Sequence, residues 1–146
     1  MDLDLLAISI DKPLILVVED DHDIGRIVSL TLQMEGYAIL LADNAIAALA
    51  VITDYPPVLI ISDVMMPGLS GLELLAVLKA EQQTANIPVL MISALVADSD
   101  VQAGHTAGAQ HYLKKPFTAK ELLAAVYKTF EVAGVPQQSP IRSEPA

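Results

Sequence analysis

Five short strand-like runs alternate with stretches of helical spacing, and that alternation leaves few folds open. "LILVV" (Leu14 to Val18), "VLIIS" (Val58 to Ser62) and "PVLMIS" (Pro88 to Ser93) are continuous and rich in β-branched residues, the pattern of strands covered on both faces. "YAILLA" and "HYLKK" read as shorter, flanking strands. Between them Ile24, Ile27, Val28 and Leu32 recur at helical spacing with Gly36 as a stop. "NAIAALAVITD", "GLELLAVLKAEQ" and "TAKELLAAVYKTF" are helix-forming in the same way. A fourth helix, within "DSDVQAGHTAGA", is the weakest of the set because Gly104 and Gly108 disfavour a helix interior, and it is expected to be the most mobile element.

Strand and helix in strict alternation give an α/β fold: a parallel sheet whose right-handed crossovers place helices on both faces. With five strands the doubly wound order 2-1-3-4-5 is the usual one. The 146 residues suit one domain over 13–132, with an N-terminal arm at 1–12 that is either frayed or a short helix. Residues 133–146, with three prolines between polar spacers, are expected to be a disordered tail.

Charge and composition remove several functions. A formal net charge of -10 has the wrong sign for neutralising phosphates, so direct nucleic-acid binding is not expected. Every apolar run is too short to cross a membrane, the opening residues carry Asp2 and Asp4 where a secretory signal would be basic, and cysteine is absent. The expected location is cytoplasmic.

In open α/β sheets ligands sit beyond the carboxyl ends of the strands where the strand order reverses, here between the first and third strands. The first closes with Glu19 and Asp20, the third with Asp63. Strands lie about 4.8 Å apart, so three carboxylates at neighbouring tips would raise one another's pKa unless a cation intervenes. Oxygen donors of this kind suit Mg2+, with Asp20 and Asp63 as direct ligands, Glu19 acting through water and the backbone carbonyl of Met65 completing the protein's share. The fourth strand ends at Ser93 and the fifth at Lys114 and Lys115. Acids, a metal, a hydroxyl and a lysine together make a site for a phosphoryl group, with Asp63 as the nucleophile.

"ILVVEDD", "DVMMPGLSG", "MISA" and "YLKKPF", in this order and at these separations, resemble the motifs of the receiver domains of two-component response regulators, over about residues 13–132. The single-domain chemotaxis regulator is the best-known example of that flavodoxin-like, doubly wound family. The resemblance implies Asp63 as phosphoacceptor, Glu19 and Asp20 as the acidic pair, Lys115 as the phosphate-pairing lysine, and Ser93 and Tyr112 as the switch hydroxyl and aromatic. It further implies a cis Lys115-Pro116 bond, a histidine kinase or histidine phosphotransfer protein as donor, and a downstream protein effector that the sequence does not identify. Such a chain catalyses only its own phosphotransfer and slow dephosphorylation.

Plainer readings compete at several positions. Asp21 and Asp23 fall in the first turn of a helix, where capping and the dipole favour acids without any metal. The side chains of Met65 and Met66 read as packing, and His22, His105 and His111 lack metal-ligand spacing. Gly25, early in the first helix, has no explanation in the sequence. An aspartate-nucleophile, Mg2+-dependent phosphohydrolase would use a similar pocket and could take "DHD" (Asp21 to Asp23) as its motif, but the acid at the strand tip is Asp20 and no cap domain is present. A flavin-binding domain of the same architecture is disfavoured by acids in the loop that would cradle a phosphate.

Overall fold

A computed structural model describes residues 12–94 and 108–134. Five parallel strands form one sheet: β1 (Leu14–Val18), β2 (Ala38–Ala42), β3 (Leu59–Asp63), β4 (Val89–Ser93) and β5 (His111–Lys114), in the order β2-β1-β3-β4-β5. Four helices lie among the described residues: α1 (His22–Met34), α2 (Ala45–Ile52), α3 (Gly71–Ala80) and α4 (Ala119–Ala133). The helix expected within "DSDVQAGHTAGA" lies outside them apart from Gly108 and Ala109, as do the arm before Lys12 and the tail after Gly134.

The alternation of side chains along each strand divides the core in two. Leu16, Val18, Ile60 and Met91 pack with Ala45, Ala48 and Ile52 of α2 and Leu74, Leu75 and Leu78 of α3. Ile15, Val17, Ile61, Leu90 and Ile92 pack on the other face with Val28 and Leu32 of α1 and Leu122, Val126 and Phe130 of α4. β1, β3 and β4 are buried throughout, which is why they read as unbroken apolar runs. β5 is only half-buried, in keeping with its mixed sequence at the sheet edge.

Each described helix starts on a side-chain cap. Asp21 accepts from the amides of Asp23 and Ile24 at 3.0 and 3.2 Å, and Asn44 accepts from Ala47 at 2.7 Å. Ser70 with Glu73, and Thr118 with Glu121, form reciprocal capping boxes. Asp21 and Asp23 are therefore helix-start residues, as their positions imply. Tyr127 on α4 donates to Glu35 at the end of α1 (3.1 Å), tying the two helices of one face together. Lys79 donates to the carbonyls of Ala85 and Ile87 at 2.9 and 3.2 Å, closing the turn into β4, and burial pulls its pKa down.

Candidate functional site

The register sets the site. Val18 of β1 pairs with Ser62 of β3, so Glu19 emerges beside Asp63 at the carboxyl end of the sheet. Alternation directs Glu19, Asp63 and Lys115 toward the face of Val17, Ile61 and Leu113. Carboxylate oxygens of Glu19, Asp20 and Asp63 lie within 4.8 Å of one another. Glu19 and Asp63 are 1% and 4% exposed, whereas Asp20 faces solvent at the mouth.

Lys115 enters from the loop after β5. Its Nζ lies 2.8 Å from Asp63 Oδ2 and 3.0 Å from Glu19 Oε1, one ammonium bridging two buried carboxylates. Burial presses Glu19 up to about 7, and the neighbouring Asp63 adds to the rise against the opposing pull of Lys115. Burial disfavours the ammonium of Lys115, but the hydrogen bonds to Asp63 and Glu19 outweigh it, so its pKa is raised. Two acids thus share one cation in a buried pocket, with a third acid at the rim. Hard oxygen donors with excess negative charge fit a small divalent cation.

The backbone holds Asp63 from three sides. The amide of Met65 donates to Asp63 Oδ1 (3.2 Å), the Ser62 hydroxyl donates to the Asp63 carbonyl (3.0 Å), and the amide of Val64 donates to the carbonyl of Ile92 (2.9 Å). Gly71 donates to the Val64 carbonyl at 2.9 Å. A Cβ at residue 71 would overlap the Asp63 carbonyl oxygen and sit 2.8 Å from Val64 Cα, so the start of α3 closes on the backbone of Asp63 only through a glycine. The fit at Gly25 is looser: a Cβ there would lie 3.1 Å from the Cδ1 end of the Leu41 side chain, which would have to give by a few tenths of an ångström, and in ordinary contact with Glu19 at 3.8 Å.

Ser93, fully buried, ends β4 one position beyond Ile92, the partner of Asp63 in the register. Its carbonyl accepts from the Lys115 amide at 2.9 Å, which links the β4 end to the lysine. Tyr112 pairs with Met91, two residues before Ser93, and is half-buried against the core of the α2–α3 face. The Lys115-Pro116 peptide is cis. Glu19, Asp20, Asp63 and Lys115 are thus brought together, Ser93 stands on the adjoining strand end, and Tyr112 lies farther out on β5.

One sequence reading needs correction. Met65 is 59% exposed, so its side chain is not packed, because the loop that turns its amide toward Asp63 sends the side chain outward; Met66 is buried as expected. His22 faces solvent, as read from the sequence, with its Nε2 3.9 Å from Asp43 Oδ2 at the rim. Residues beyond β2 also escaped sequence reasoning. Asp43, Asn44 and Ile46 face Asp20, Pro67 and Leu69 across a cleft of about 560 Å³ that opens beside the acids. Only the position of Asp43 at a strand end offered a signal for it.

The sequence pattern of the response regulator receiver domain matches residues 15–127. The phosphate regulon transcriptional regulatory protein PhoB of Pseudomonas aeruginosa is 41% identical over 110 residues, 75% of this chain and 48% of that protein. The DNA-binding dual master transcriptional regulator RpaA of Synechocystis is 40% identical over 114 residues, 78% of this chain and 47% of that protein. The chain therefore spans about half the length of these relatives. Among solved structures, the chemotaxis protein CheY4 of Vibrio cholerae superimposes with a TM-score of 0.78 at 32% identity, covering 81% of this chain and 98% of that one.

Proposed function

The chain belongs to the response regulator receiver family, a class of signalling domain, and we propose that it is switched by phosphorylation of Asp63. The observation that carries this reading is the single ammonium of Lys115 bridging Asp63 and Glu19 beside the exposed Asp20. An Asp63 carboxylate oxygen attacks phosphorus as the bond to the donor breaks; with a phosphohistidine donor that bond is P–N and the imidazole leaves. Lys115 then exchanges its contact with Asp63 for one with a phosphoryl oxygen. Asp20, Asp63 and the Met65 carbonyl would hold Mg2+, with Glu19 acting through water, and the ion would neutralise charge developing on the phosphoryl oxygens.

The donor is a histidine kinase or histidine phosphotransfer protein, and the output is a protein effector. DNA binding is in the names of some relatives and is said of them; here, a net charge of -10 favours a protein partner for this domain. No helix among the described residues is long and apolar enough to cross a membrane, in keeping with a cytoplasmic signalling role. The new phosphate adds roughly -1.5 to -2 charge at neutral pH and draws in the Ser93 hydroxyl; Ser93 and Tyr112 share the α2–α3 face, so movement of the first opens space for the second.

Incubation with a small phosphodonor and Mg2+ should add one phosphoryl group, mapped by mass to the peptide containing Asp63; full labelling of Asp63→Asn would refute the assignment. Beryllofluoride should change amide exchange across residues 94–108 in the wild type but not in Tyr112→Ala. An unaltered response in that variant would reduce Tyr112 to packing.

A further inference from the structure

The cleft beside the acids is walled by the loops that follow β2 and β3. Val18 pairs with both Ala42 and Ser62, so the tips of β2, β1 and β3 stand in a row, with the main chains of Asp43 and Asp63 about two strand spacings, or about 10 Å, apart. Lys115 reaches Asp63 from the β5 side. The cleft lies on the opposite side, toward β2, and has Asp20 on its wall.

Asp43 is the acid at this cleft that the metal chemistry does not use: the carboxylates close enough to share one ion are those of Glu19, Asp20 and Asp63. Its orientation is set locally. The Asn44 side chain accepts from the Ala47 amide at 2.7 Å and donates to Asp43 Oδ1 at 2.8 Å, so the cap of α2 also holds the carboxylate. His22 stands 3.9 Å from Oδ2, and the Asp43 side chain remains 58% exposed. Around it Ile46, 66% exposed, and Pro67 and Leu69 supply apolar walls.

A fixed carboxylate over apolar walls suits a side chain that is apolar along its stem and cationic at its tip. Arginine meets this better than lysine, because a planar, weakly hydrated guanidinium can lie flat on Pro67 and still donate to Asp43. The net charge of -10 favours partners that bring positive charge, and a partner that delivers a phosphoryl group to these acids has the greater need of it. We propose that the cleft receives an arginine side chain of the protein phosphodonor, with Asp43 as its counter-charge. The assignment to the donor rests on the phosphorylation of Asp63. Asp43 touches no reacting atom in this arrangement; it selects the donor and fixes its approach from the β2 side.

Amide chemical shifts of the full chain, with saturating Mg2+ and N-acetyl-arginine amide as the probe, read the cleft directly. Saturable shifts are expected at Asn44, Ile46 and Leu69, and uncharged N-acetyl-citrulline amide should produce none. Asp43→Asn, nearly isosteric and at an exposed position, should weaken the arginine probe about fivefold, which one charge contact near 4 Å supplies in water. Salt at about 1 M, where the screening length falls to about 3 Å, should weaken the wild type to the same degree. Equal binding by Asp43→Asn, equal shifts from citrulline, or shifts centred on Glu19 and Asp63 would overturn the proposal. So would binding that requires beryllofluoride, because the cleft would then serve a partner of the phosphorylated form. None of these readouts needs phosphoryl transfer: failure to label Asp63 would remove the donor assignment and leave the arginine titration standing, whereas failure of the titration leaves the labelling intact.

Discussion

The carboxylates at the ends of strands and those at the starts of helices do opposite work in this molecule. At the helix starts Asp21, Glu73 and Glu121 accept from backbone amides that would otherwise lack partners, and they remain in contact with water. At the strand ends Glu19 and Asp63 are buried with one lysine between them. The helix-start acids stabilise the fold. The strand-end acids strain against it and gain from any cation or phosphoryl chemistry that relieves them.

That contrast is most sharply tested at Lys115. Lys115→Ala leaves two buried carboxylates without a cation, and the metal-free protein should lose about 3–5 kcal/mol in urea unfolding, the usual cost of breaking a buried pair. Mg2+ should return part of the loss. If Lys115→Ala melts as the wild type does without metal, the strand-end acids are not under electrostatic load and the comparison breaks.

A second test uses pH. The Glu19 carboxyl is raised from 4.5 to about 7 in the folded state, mainly by burial. Its contribution is therefore complete below the unfolded value and is lost as pH rises through the folded one. The metal-free protein should become less stable between about pH 5 and pH 8, below the range of Lys115, while Glu19→Gln should flatten this slope. Added Mg2+ should flatten it as well. An equal slope in Glu19→Gln would move the titration to another group.

At a helix start the effect should be smaller and independent of the metal. Asp21→Ala removes the cap of α1 and should cost about 1 kcal/mol with or without Mg2+, with phosphodonor labelling unchanged. Metal-dependent loss would make Asp21 part of the site. The smallest shift belongs to Asp20→Ala: relief of crowding at the rim should raise metal-free stability by no more than about 0.5 kcal/mol, while Mg2+ binding weakens. A sharp fall in metal-free melting would mark Asp20 as structural.

The strand cores and the acids at their tips were legible because both depend on local sequence. A strand buried on both faces writes itself as an apolar run, and the first charged residue after that run, Glu19 after Val18 or Asp63 after Ser62, falls at the carboxyl edge. Helix starts were legible for the same reason, since Asp21, Asn44, Ser70 and Thr118 act within three residues of themselves. What could not be read depends on contacts made across the fold. Gly25 packs closely on Leu41 of another strand, Met65 points outward because its amide turns toward Asp63, and the Asp43 cleft needs two loops to meet.

The close fit of Gly71 against Asp63 has a consequence for reading mutational data on this chain. Saturation mutagenesis scored by signalling output should rank Gly71 with Asp63 itself, although residue 71 touches no reacting atom. Any side chain there must displace the main chain of Asp63 or Val64, and with it the carboxylate that Lys115 grips. Intolerance at such a position measures where a neighbour's backbone must stand.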